Sequence, residues 1–301
     1  MTSNDKNTIE NSRSIAVVAL GGGHGLARTL RAARLYADEI TAVVSLGDDG
    51  GSSGELRAQY AVAPPGDIRR CLSALADLDS LLGRNLEHRV TSGSLEGHPV
   101  GNLLLAGLTM ATDDFEASVA EVAELVGAVG KIFPATKVPV TLVAETDNGT
   151  VRSQVAIDDS SGICNLRYEP ADPPVPSDVL QAIVEADQVV LGPGSFYTSV
   201  LASASVPAVR RALNETEAQR VLVANTSALP GESPPVVVAT HLDALADHGL
   251  KIDVVLADER LDTSGVDSAR ILQSRLVESD GFSHDPQRLA EALTDAYLSA
   301  N

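Results

Sequence analysis

Two kinds of apolar pattern alternate along the chain. Ile15–Leu20, Thr41–Leu46, Gln188–Leu191, Arg220–Ala224 and Ile252–Ala257 are compact runs rich in Val, Leu, Ile and Ala. Such runs read as strands covered on both faces. Between them apolar residues recur at helical spacing, as Leu26, Leu30 and Ala33 do, or Leu72, Leu75 and Ala76 with Leu78–Leu82 continuing. Further helices are expected over Leu103–Met110, from an Asp113 cap to about Val126, from Ser177 to Ala186, and near His241–His248. A terminal helix begins where the N-cap Asp285 precedes Pro286. Strand, loop, helix, strand is a βαβ unit with a right-handed crossover and parallel strands. The pattern therefore predicts an α/β, doubly wound, mostly parallel sheet.

One segment breaks this rhythm. Val140–Glu145 and Thr150–Ile157 flank Asp147-Asn148-Gly149, which reads as a hairpin with an Asn-Gly turn, and Ile163–Glu169 follows as a third short strand. A small antiparallel β excursion is expected near 131–170, closed by the proline-rich Pro170–Pro176. Residues 1–13 are polar and read as a disordered tail, and 14–301 as one α/β domain.

The candidate chemistry sits where apolar runs stop. After Leu46 come Asp48, Asp49, Gly50, Gly51, Ser52, Ser53 and Gly54. Parallel sheets bind ligands outside the carboxyl ends of their strands. Two carboxylates there suit Mg²⁺ or a sugar's hydroxyls, although Asp and Gly are also ordinary turn residues. The first strand runs into Gly21, Gly22, Gly23, His24 and Gly25, and a helix follows, an arrangement that offers N–H groups to a phosphate and that equally fits a tight strand-to-helix turn with no ligand. It is not the dinucleotide fingerprint, because Leu26 stands where the last glycine would be. Gln188–Leu191 ends in Gly192, Pro193, Gly194 and Ser195 before another helix, repeating that logic. Asp67 is expected to cap a helix starting at Ile68, with Arg69 and Arg70 in its first turn. Cations are unfavourable there, so either one of them is held to meet an anion or, the reading this segment favours slightly, they are ordinary surface arginines.

Composition narrows the partners. The chain has 301 residues, 44% hydrophobic but only 3% aromatic with no Trp, so aliphatic side chains must fill the core. Stacking platforms for single-stranded nucleic acid are poorly supplied. With 22 Lys and Arg against 41 Asp and Glu, the formal charge is −19. That repels nucleic acid and anionic membranes, so an anionic ligand must be held locally, by N–H groups and a few Arg. No stretch reaches the roughly 18 apolar residues of a membrane span. Cys71 and Cys164 form no CxxC pair and read as reduced, partly buried thiols. His88 and His98, ten residues apart in a polar insert over Gly83–Pro99, do not make a metal motif. A cytoplasmic protein is expected.

The stretches VVALGGGHGL, ITAVVSLGDDGGSSGELR, APPGDIRRCLSALAD, GHPVGNLLLAGLT, ADQVVLGPGSFYTSVL and VLVANTSALPGES occur in this order from Ile15 to about Glu232. Together they resemble the YvcK-type gluconeogenesis-factor family, part of the wider group that includes 2-phospho-L-lactate transferase. The resemblance implies a Rossmann-like fold and a cytoplasmic role in cell-wall growth, cell shape and carbon-source adaptation. It also implies binding of a UDP-sugar such as UDP-N-acetylglucosamine, protein partners in cell-wall synthesis, and no established catalysis. A homo-oligomer is expected. On this reading Gly21–Gly25 cradle phosphate, Asp48 or Asp49 contacts ribose, sugar or Mg²⁺, and Asn102, Ser195, Tyr197 and Thr198 complete the pocket. Asp67, Arg69, Gly192, Gly194 and Asn225 join them as expected ligand neighbours. The alternative is transfer of a phospho-organic acid from a nucleotide, with Asp48 and Asp49 on Mg²⁺. No base stands beside that pair except His24. Four positions depart from the family: His24 replaces a usual Thr, Leu229–Ser233 a Gln-Pro-Gly-Glu-Thr run, Thr240-His241 an Asp-His pair, and Ser283 an Arg.

Overall fold

The structure, a computed structural model, describes residues 14–227 and 238–299. The expectations placed on the 1–13 tail and on Leu229–Ser233 lie outside the described residues. The strands are β1 (Ala16–Gly21), β2 (Glu39–Val44), β3 (Lys131–Pro134), β4 (Thr141–Thr146), β5 (Gly149–Arg152), β6 (Asn165–Glu169), β7 (Gln188–Leu191), β8 (Gln219–Val223), β9 (Val254–Asp258) and β10 (Arg270–Ser274). The helices between β1 and β3 include α1 (Gly23–Ala33), α2 (Gly51–Tyr60), α3 (Gly66–Leu75), α4 (Leu81–Asn85) and α5 (Val100–Thr112).

The main sheet has the order β10-β9-β8-β7-β1-β2-β3, and every neighbouring pair is parallel. Its winding reverses between β1 and β7. From β1 the chain steps outward to β2 and β3, and from β7 it steps the other way to β10. Such a switch point opens a crevice at the carboxyl ends of the two central strands. Helices cover both faces, which explains the unbroken apolar runs. In β1, Val17 and Ala19 face one core while Val18 and Leu20 face the other. The first core packs α1, α3 and the terminal helix Pro286–Leu298; the second packs the helices between β6 and β9.

The excursion is a three-stranded antiparallel sheet of order β5-β4-β6. Lys131–Pro134 belongs instead to the main sheet, paired with β2. The expected strand over Thr150–Ile157 stops at Arg152, and Gln154–Asp158 turns into a short helix. Ser153 there holds φ +91° while its hydroxyl accepts from the Ala156 N–H. The helix expected to continue through Leu78–Leu82 breaks, with α4 restarting behind a Ser80 cap. Asp113 closes α5 in a left-handed conformation, and Asp114 caps the next helix. Adjacent Asp residues each satisfy a cap pattern, so sequence alone placed the boundary one residue early. β10 is half-exposed at the sheet edge and lacks a buried run, so no apolar signal marks it. Cys71 is buried and Cys164 exposed; both are free thiols.

Candidate functional site

At the switch point lies a cavity of about 430 Å³, within the range of small-molecule sites. First turns of four helices line it: Gly23–Gly25 of α1, Gly51–Ser53 of α2, Gly66, Asp67, Arg69 and Arg70 of α3, and Asn102 of α5. The residues at their N-cap positions are Gly22, Gly50, Pro65 and Pro99. None carries a side-chain acceptor, and none of the four helices has a side-chain cap. Ser80, Asp114 and Asp285, away from the cavity, do cap their helices. Some first-turn donors are met from elsewhere: the Gly23 N–H donates to Asp67, the Gly66 N–H to Ser53 Oγ at 3.1 Å, and the Val100 and Gly101 N–H groups to the His88 and Leu86 carbonyls at 2.8 and 3.0 Å. The positive dipole ends and the remaining first-turn N–H groups favour an anion. Gly50–Gly54, which reads as a loop, is therefore mostly the opening of α2.

Glycine is required where the chain comes closest to the cavity. Gly23 holds φ +64°, and a Cβ there would project into open space. A Cβ on Gly25 would lie 2.0 Å from the Pro193 carbonyl oxygen. The glycine loops after β1 and β7 thus pack directly on each other. Asn225 pins the second loop, accepting from the Gly194 N–H at 3.0 Å and donating to the Gly194 carbonyl at 2.9 Å.

The carboxylates sort differently from their order in the chain. Asp49 accepts from the N–H groups of Gln154 and Val155 at 3.1 and 3.2 Å, so it caps the short helix of the excursion. It does not line the cavity; Asp48 and Asp67 do. Asp67 does not cap α3, which already begins at Gly66. Its carboxylate accepts from the Gly23 N–H and pairs with Arg70 at 2.6 Å. Burial, with the charge of Asp48, pushes the Asp67 carboxyl up, and Arg70 partly offsets this. Among the described residues no cluster of three or more His, Cys, Asp or Glu is arranged to hold a metal ion.

Arg69 is almost fully buried and is spent internally. Its Nε and Nη2 meet Glu87, each at 3.1 Å, and Nη1 donates to Asn102 Oδ1 at 2.9 Å. Asn102 Nδ2 donates to Ser52 Oγ at 3.0 Å, and Ser52 meets His98 Nδ1 at 2.7 Å. His24, in the first turn of α1, is held below its ordinary pKa by burial and by Arg70, Arg69 and Arg28, although Glu87 opposes this. It is therefore a neutral imidazole at pH 7.

Of the residues expected from sequence, Gly22, Gly23, His24, Gly25, Asp48, Gly50, Gly51, Ser52, Ser53, Asp67, Arg69, Asn102, Gly194 and Ser195 line one cavity. Gly21, Asp49, Gly192, Tyr197, Thr198 and Asn225 do not. Gly21 ends β1, and Gly192 accepts from the Thr29 hydroxyl at 2.8 Å. Tyr197 packs edge-on to Phe196. Thr198 donates to Asp158 at 2.7 Å from a buried position. Asn225 lines a neighbouring chamber of about 250 Å³ with Arg28, Phe282, Ser283 and His284, which His24, Gly25 and Gly194 share with the main cavity. Sequence reading missed Arg89, Gln154, Asp158 and Ser199. Asp158 comes from the excursion and accepts from Ser195 at 2.8 Å; burial raises its carboxyl. Nothing in its own segment points toward a site formed near 195.

The fold and this crevice define a doubly wound α/β protein with uncapped helix ends and arginines gathered at its switch point. The model of the family described as 2-phospho-L-lactate transferase CofD matches residues 17–297, and the chain belongs to that family. Its relatives are gluconeogenesis factors of the YvcK, or UPF0052, type. It is 42% identical over 306 residues to the "Putative gluconeogenesis factor" of Mycobacterium tuberculosis, covering 92% of this chain and 89% of that one. It is 37% identical over 249 residues to the "Gluconeogenesis factor" of Halalkalibacterium halodurans, covering 81% and 77%. The crystal structure of a UPF0052 family member from Bacillus halodurans superposes with a TM-score of 0.87 at 32% identity, over 94% of this chain and all of that one.

Proposed function

We propose that the cavity binds a nucleoside diphosphate sugar, with UDP-N-acetylglucosamine as the ligand, and that the protein regulates cell-wall growth and cell shape in response to it. The observation that carries this reading is the convergence of four helix N-termini on one cavity, none with a capping side chain at its N-cap position. They offer neutral and positive donors to phosphate inside a chain whose formal charge is −19. Asp48, Ser53 and Asp158 add acceptors suited to ribose and sugar hydroxyls.

Mg²⁺ fits this site between Asp48 and Asp67, in place of the adjacent pair Asp48 and Asp49. Two carboxylates lining one cavity, one raised by burial and by the charge of the other, would gain from a divalent cation. Two ligands from protein and the rest from phosphate and water is ordinary Mg²⁺ coordination. When bound, the ion would neutralise phosphate charge. Titration calorimetry of UDP-N-acetylglucosamine with and without Mg²⁺ tests the reading. Saturable binding at one site per chain, strengthened by Mg²⁺, is expected; no heat at millimolar ligand would refute it.

A second reading is favoured by one observation. Transfer chemistry needs a base near the phosphates, and the structure holds an imidazole, His98, one hydroxyl away from the cavity.

A further inference from the structure

With the His98 ring neutral, its neighbours fix its tautomer. Arg69 has only donors, so the Asn102 atom facing it at 2.9 Å is the oxygen, and the Asn102 amide nitrogen donates to Ser52 Oγ. Glu55 has only acceptors when ionised, so His98 Nε2, 3.3 Å from Glu55 Oε2, carries the proton. His98 Nδ1 is then a lone pair, and Ser52 donates its hydroxyl proton to it at 2.7 Å. His98 is buried, while Ser52 lines the cavity. Ser52 thus keeps one unspent lone pair on Oγ, on a residue that borders the phosphate cradle. Hydroxyl, imidazole and orienting carboxylate in this order is an acid–base constellation recognised by geometry and not by sequence position.

We propose that Ser52, His98 and Glu55 form a proton relay that gives this cavity a diphosphate-cleaving activity. The proposal rests on the reading of the cavity as a nucleoside diphosphate site. A water held against Ser52 Oγ attacks a phosphorus of the ligand. Its proton passes to Oγ as Ser52 passes its own to His98 Nδ1. The new P–O bond forms, the bridging P–O bond breaks, and the electron pair leaves on the phosphate of a nucleoside monophosphate or a sugar phosphate. Glu55 steadies the imidazolium, which returns its proton to solvent; Glu55 is 61% exposed and gives that route. Arg70 and the uncapped helix ends face the charge that builds on the phosphate oxygens. Arg69 acts only through Asn102, as a positioning residue.

The test uses the full chain with Mg²⁺ in ¹⁸O-water. UDP-N-acetylglucosamine, UDP-glucose, GDP-mannose and ADP-ribose are each incubated, and monophosphate products are weighed by mass spectrometry. The wild type should release a monophosphate from at least one, with a single ¹⁸O in one product. His98→Gln should slow release at least tenfold while changing the dissociation constant by calorimetry less than threefold. Glu55→Gln, at an exposed position, should slow release a few-fold and keep the fold. Intact ligand in all four incubations overturns the relay, as does an unchanged rate in His98→Gln. Binding of UDP-N-acetylglucosamine without any cleavage sinks the relay alone; cleavage of another substrate without that binding sinks the choice of ligand alone.

Discussion

The cavity has two walls built in different ways. One is the pair of glycine loops after β1 and β7, where the chain offers backbone N–H groups and close packing. The other is the network Glu87–Arg69–Asn102–Ser52–His98–Glu55, which ties α2, α3, α5 and the 83–99 insert together through side chains. The first wall is local: two short runs of sequence specify it. The second is assembled from positions up to 50 residues apart. Backbone geometry makes the first wall intolerant of a side chain at Gly23 and Gly25, whereas the second depends on each polar atom finding its partner.

The largest effect expected belongs to a buried group behind the loop wall. Burial holds His284 at a pKa of about 4, from an ordinary 6.5, even though its contact with the Ala224 backbone opposes this. The unfolded chain therefore binds this proton more readily. Stability should fall as pH drops from about 6.5 to about 4, by about 3 kcal/mol from this group. Urea melts of wild type and His284→Gln across that window should differ by this slope.

Gly23→Val should follow, with ligand affinity falling at least a hundredfold by calorimetry. A β-branched residue resists φ +64° and would fill open space at the cavity. A folded variant with full affinity would reduce that wall to a tight turn. The side-chain wall should be hit differently by Arg69→Met. Glu87, 45% exposed, can turn to solvent, but Asn102 and Ser52 lose their orientation. A loss of about 2 kcal/mol in denaturant melts is expected, below the 3–5 kcal/mol of a fully buried pair.

The smallest contrast is between neighbours. Asp48→Asn should weaken ligand binding about tenfold with little change in stability. Asp49→Ala should cost about 1 kcal/mol through the lost cap on the excursion's short helix and weaken binding less. Equal losses of affinity in both would return Asp49 to the site.

These contrasts explain what was legible in the sequence. β1, β2, β7, β8 and β9 announce themselves because both faces are buried, and the glycine loops because a strand stops there. The first wall of the site could be read directly. Asp48 and Asp49 looked equivalent since adjacency hides direction; the excursion's N–H groups, more than 100 residues away, claim one of them. Asp67 resembled a cap because Asp before a helical pattern usually is one. His98 looked like a lone histidine because its partners, Ser52 and Glu55, lie on α2, far back in the chain. Gln154 and Asp158 enter from a segment that reads as a hairpin strand. Polar side chains find partners through tertiary placement, and no local period records it.

The most direct measurement is a thermal-shift comparison of UDP-N-acetylglucosamine, UDP and NAD at equal concentration. A ligand that binds the native state alone adds about 2.7 kcal/mol at a hundredfold excess over Kd. For a domain of this size that raises Tm by several degrees, at roughly 2 °C per kcal/mol. The sugar nucleotide should raise Tm most, because hydroxyl- and carboxylate-bearing residues of the cavity meet the sugar as well as the phosphates. A larger shift with NAD, or an equal shift with UDP alone, would contradict the nucleotide-sugar reading.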